Sequence, residues 1–162
     1  MRDNQGGFSL IEFVIVIAIL GILLTIGIFA TNGMRARSRD HQRHLNSETI
    51  AGRLETYYKV NTTRKNSYPS TDELNSKAPA IIGDNDAMIA PDSTTRSLFS
   101  AINTSVPTAM TTSQFIYQPF NGDDALCTGA QVCVRFVLYY RTEIDNAIHQ
   151  LEIGRASCRE RV

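Results

Sequence analysis

A chain of 162 residues has room for one modest domain plus an extended element. Sixteen basic side chains balance sixteen acidic ones, which excludes the strong positive field of a general nucleic-acid binder and gives no pointer to DNA. Hydrophobic residues make up 43 % of the chain but are unevenly spread: between Phe8 and Ala30 the only ionisable side chain is Glu12. The remainder is polar and rich in Thr, Ser and Asn. The composition therefore describes one apolar rod followed by one soluble head.

Residues 1–7 form a short polar leader ending in Gly6-Gly7. The apolar run that follows, Phe8–Ala30, spans 23 residues. As a helix rising 1.5 Å per residue it would cover about 34 Å, enough to cross a hydrocarbon layer of ~30 Å. An ordinary secretory signal fits poorly, because its apolar region is shorter and ends in an Ala-x-Ala-like site, which Phe29-Ala-Thr-Asn-Gly33 does not offer. Within the run Glu12 lies one helical turn from the start. A carboxylate at bilayer depth costs roughly 2.5–3.5 kcal/mol on insertion scales, so an acid there marks function. The local alternative is that Glu12 answers the helix macrodipole, or the backbone amine four residues before it.

Gly7-Phe8-Ser9-Leu10-Ile11-Glu12, abutting an apolar helix, resembles the class III signal of type IV prepilins and pseudopilins. The resemblance is strict over about 25 residues and looser through Tyr68-Pro69. It implies cleavage after Gly7 by a prepilin peptidase, N-methylation of Phe8, and a single-pass membrane precursor with its head outside. It further implies polymerisation with copies or homologous pilins by the pilus assembly machinery. The Glu12 of one subunit would meet the Phe8 amine of a neighbour and set axial register. Arg35, Arg37, Arg39 and Arg43 follow the run and only Arg2 precedes it. Taken alone, that balance would place the head in the cytoplasm; the resemblance places it outside. The proline that many family members carry in the second half of this helix is missing, leaving Gly21, Gly27 and Gly33 as its weak points.

Residues 31–61 read as a continuation of the same helix, with Ile50, Leu54, Tyr57 and Tyr58 at i, i+4, i+7, i+8 forming one apolar stripe. His41 and His44 sit three apart and read as solvated. Residues 62–151 read as the α+β head, a small antiparallel sheet packed on the helix. Ser70-x-x-Glu73 after Tyr68-Pro69 is a capping box that starts a short helix. Lys77–Pro91 reads as loop, and Asp92 or Ser93 as the cap of another helix reaching Ile102. Strands are expected over Gln114–Gln118, Val132–Arg141 and Ala147–Leu151, with Asn121-Gly-Asp-Asp124 as a turn.

Cys127 and Cys133 lie six apart, a spacing open to a disulfide in an oxidising compartment or to two buried thiols, with no nearby ligands for zinc. Asp84, Asp86, Asp123 and Asp124 could supply calcium oxygens, but neither loop has EF-hand spacing, so no cofactor is expected. Two Asn-x-Ser/Thr triplets, Asn61-Thr-Thr63 and Asn103-Thr-Ser105, match a glycosylation acceptor. Residues 152–162 read as the in-frame translation of a sequencing adapter and are set apart from the fold. No nucleophile–base pair or phosphate loop stands out, so the expected class is a non-enzymatic fibre subunit. The alternatives are a pseudopilin of a type II secretion or DNA-uptake system, and a monomeric, signal-anchored ligand-binding protein.

Overall fold

The structure, a computed structural model, describes the backbone of residues 9–154 and 159–161, and the side chains of residues 9–25 and 33–154. The chain divides into two compact units, Met1–Ala36 and Arg37–Val162. Helix α1 (Leu10–Val60) contributes residues to both. It has no internal proline, and its glycines are spaced widely enough that each costs only about 1 kcal/mol of helix propensity.

In the first unit the helix opens at Ser9, whose carbonyl accepts the Phe13 N–H at 3.3 Å. Every large apolar side chain from Leu10 to Leu24 is between 47 % and 81 % exposed. No described residue of the unit covers them.

The second unit is a helix-on-sheet head, and α1 enters its core through Ile50, Ala51 and Leu54, all essentially inaccessible. Ile50 and Leu54 are positions of the expected stripe, and Tyr58 of the same stripe packs on the cluster's margin. Helix α2 (Thr71–Ile82) begins at the capping box, with the Ser70 hydroxyl accepting from Glu73 N and the Glu73 carboxylate accepting from Ser70 N. It buries Leu74, Ala78 and Ile82. This corrects the loop expected from Lys77: the helix bends at Lys77 (φ −128°, ψ 15°), and Pro79, which cannot donate to the preceding turn, sits just after the bend. The i, i+4 pair Ala78/Ile82 then completes one more buried turn. Gly83, at φ 65°, closes the helix by donating to Pro79 O at 2.9 Å.

Strands β1 (Leu98–Ser100), β2 (Phe115–Phe120), β3 (Arg135–Arg141), β4 (Ile148–Gly154) and β5 (Arg159–Arg161) lie side by side in chain order. The β2–β3–β4–β5 ladder is antiparallel, but β1 pairs with β2 in parallel. The expected purely antiparallel sheet is thus a mixed one. The helix expected from Asp92 or Ser93 to Ile102 is also corrected, because that segment holds β1. The Ser93 hydroxyl is spent on its own loop, donating to Thr95 O and accepting from Thr95 N, and so starts no helix. Leu98 is instead drawn into the core, and the chain returns through residues 101–114 to run alongside itself.

Both faces of β3 are covered. Phe136, Leu138 and Tyr140 face the main core, while Val137 and Tyr139 form a smaller cluster with Met110 and Phe120. That explains the nearly continuous apolar run of this strand. β3 starts later than Val132, because Cys133 is committed to a disulfide loop. β4 runs past Leu151, so Glu152–Gly154 of the presumed adapter segment lie in β4 and Arg159–Arg161 form β5.

Candidate functional site

Three features stand out: the exposed apolar segment, an ionic cluster in the head, and a docked disulfide loop. Gly7 and Phe8, the expected processing residues, lie outside the described residues. Glu12 is described. It is exposed, and its Oε2 accepts the Ser9 backbone N–H at 2.9 Å, satisfying one of the orphan donors of the first turn. In the single uncleaved chain the carboxylate therefore takes the local role open to it. Among the described residues no helix is long and apolar enough to cross a membrane. The run read as a span, Phe8–Ala30, includes Phe8 and the side chains of residues 26–30, which are outside the described set.

Arg43 is the largest fully buried side chain of the head and is nowhere near apolar in character. Its Nε donates to Thr112 O at 2.9 Å, its Nη1 to Asp40 at 2.7 Å, and its Nη2 to Glu143 at 2.6 Å with Asp92 at 3.2 Å. Arg39, one turn earlier, grips the same Glu143 through two parallel bonds of 2.8 and 2.6 Å. Asp40 completes the lock by accepting the backbone N–H groups of Glu143 and Ile144 at 2.8 and 3.1 Å. One face of α1 thus holds the β3–β4 turn and the segment before β2. Only the i, i+3 pair Asp40/Arg43 was visible as a local signal; the partner carboxylate is a hundred residues away in sequence.

Hydrogen bonds from Arg39, then Arg43, outweigh burial and bring the Glu143 carboxyl down to about 2. For Asp92, burial pushes upward, but the hydroxyls of Ser113 and Thr112 and the Arg43 charge leave it below the ordinary value. A carboxylate whose folded pKa lies below its unfolded one stabilises the fold fully above the unfolded value. That stability drains away as pH falls through the folded one. The wild type should therefore lose on the order of 2 kcal/mol through Glu143 between about pH 4.5 and pH 2, allowing for solvent screening at this partly exposed group. Denaturant titrations across that window should show a shallower slope for Glu143→Gln.

Cys127 and Cys133 form a disulfide with a Cα–Cα separation of 5.7 Å, and both are fully buried. Of the candidate calcium residues, Asp84 accepts the Ala87 N–H and Asp124 pairs with Arg135. Among the described residues no group of three His, Cys, Asp or Glu side chains is gathered for a metal. His41 is exposed, while His44 is half-buried with Nδ1 3.0 Å from the Tyr140 hydroxyl. Asn61 Nδ2 is buried without a partner, whereas Asn103 is exposed, so of the two triplets only the second offers its amide to solvent.

Among the described residues, the chain thus joins an exposed apolar helix start to an α+β head. The prokaryotic N-terminal methylation motif matches residues 2–28. The chain accordingly carries the class III signal of type IV pilins and pseudopilins, over the residues that first suggested it. No curated protein and no solved structure matches the chain.

Proposed function

We propose that this chain is the precursor of a structural subunit of a type IV pilus-like filament, cut after Gly7 by a prepilin peptidase, methylated on Phe8, and polymerised through α1. The observation that carries the reading is the exposure of every large apolar side chain from Leu10 to Leu24, in a segment that bears the methylation motif. Removing such side chains from water is worth roughly 1.5–3 kcal/mol each. Before assembly lipid covers them, in a single-pass precursor whose head faces away from the cytoplasm. After assembly copies of the same helix do, in a head-to-tail arrangement that does not close.

The surplus of arginines after the apolar run is compatible with this orientation. Arg39 and Arg43 are bound by head carboxylates and are not free flanking charges. The role of the head is structural, with no catalytic part.

Shearing surface fibres from the native host tests the reading. A pilus subunit is found in bulk in the sheared fraction, and a secretion-type pseudopilin is found with other pilin-like chains in the envelope. A chain that stays monomeric in the membrane under all conditions contradicts both.

A further inference from the structure

We infer that the Cys127–Cys133 loop is a redox-controlled clasp on the turn joining α1 to α2, so that this junction orders only after the disulfide has closed. The inference rests on the head alone and goes beyond the filament reading. The loop meets the junction from both ends and from its tip. At its ends, Thr71 N donates to Cys127 O at 3.1 Å, Tyr68 N to Cys133 O at 3.0 Å, and Cys133 N to the Ser67 hydroxyl at 2.9 Å. At its tip, Gly129 N donates to Asp72 at 2.8 Å, and Arg64 Nη1 reaches Gly129 O at 2.9 Å and Gln131 O at 3.0 Å. Arg64 also pairs with Glu73 of the capping box at 2.7 Å, so the clasp reaches the start of α2.

What holds the loop in this shape is narrow. Residues 128–132 are all exposed, and only the two half-cystines are buried. No apolar side chain between them anchors the segment. With the bond open, ordering seven residues would cost roughly 1–2 kcal/mol apiece in backbone entropy against a handful of hydrogen bonds. With the bond closed, much of that entropy is already gone from the undocked state. The sheet has no such dependence, since β2, β3 and β4 are tied by their own ladders and by Phe115, Tyr117, Phe136 and Leu138.

The burial of both sulfurs orders the events. A disulfide donor, whether a protein or a small molecule, cannot reach them in the docked loop. One Cys thiolate attacks the donor's disulfide to give a mixed disulfide. The second Cys then displaces the donor as its dithiol, so two electrons and two protons pass from the cysteine pair to the donor. Closure precedes docking, and reduction requires undocking. A head made in a reducing compartment keeps its junction open until it meets an oxidant.

The test uses the full chain in detergent micelles, in a Cys158→Ser background so that one pair alone can react. Three forms are compared: oxidised, reduced with dithiothreitol, and Cys127→Ser/Cys133→Ser. Hydrogen exchange is followed at the amides of Tyr68, Thr71, Gly129 and Cys133, and tryptic cleavage after the exposed Lys65. Opening the bond should lower protection at these amides and raise the Lys65 cleavage rate at least tenfold, while β3 amides such as Val137 and Leu138 stay within about twofold. Unchanged protection in both open forms overturns the clasp. So does a parallel loss of protection in β3, which would make the disulfide a staple of the whole head.

Discussion

Arg43→Met should lower the melting temperature of the head by about 10–20 °C. The substitution keeps much of the volume but removes the one charge that Asp40, Asp92 and Glu143 share. Breaking a buried ionic cluster from one side costs about 3–5 kcal/mol, because Asp40 and Asp92 lose their arginine and Glu143 is left with Arg39 alone. In a head of this size each kcal/mol is worth about 3–5 °C. Thermal melts followed by circular dichroism give the number, and a second variant gives the cause. Adding Asp92→Asn to Arg43→Met should recover part of the loss, since the carboxylate that paired with Arg43 is then neutral. If the double variant were less stable than the single one by the full cost of Asp92→Asn alone, lost packing rather than stranded charge would be the explanation.

Glu12→Ala should leave the precursor in the membrane fraction at wild-type levels and reduce its incorporation into fibres by about 10- to 100-fold. Among the described residues Glu12 caps the first turn through Ser9 N, a contact worth about 1 kcal/mol to the helix. Under the proposed cleavage, the new Phe8 amine would be a cation. A charge-assisted bond to it from a neighbouring subunit is worth about 1.5–3 kcal/mol, which sets the expected range. Quantifying the chain in sheared fibres and in membranes separates the two effects. Normal fibre yield would mean that register is set elsewhere.

What the sequence made legible was local. The apolar run and the hexapeptide Gly7–Glu12 are contiguous, and the family motif matches over the same residues. The stripe Ile50/Leu54 and the capping box at Ser70 depend on neighbours within one or two turns, and α1 and α2 form accordingly. The misread parts depend on distant partners. Leu98–Ser100 has no intrinsic pattern that separates a short helix from a strand. It becomes a strand because Phe115 N and Ala101 N pair across to Ser97 O and Tyr117 O. The parallel direction of β1 follows from the course of residues 101–114, which no short-range periodicity encodes. Arg43 illustrates the same limit. Four arginines after an apolar run count as flanking charges, yet two of them are taken up by a glutamate in the turn before the last expected strand. That capture also bears on orientation, because a charge count treats bound and free arginines alike.

The most direct test of the central claim is the N-terminal mass of the mature chain isolated from the membranes of its native host. The account predicts a polypeptide beginning at N-methylated Phe8, with Gly7→Val held at the precursor mass. A mature chain that still begins at Met1 would contradict it.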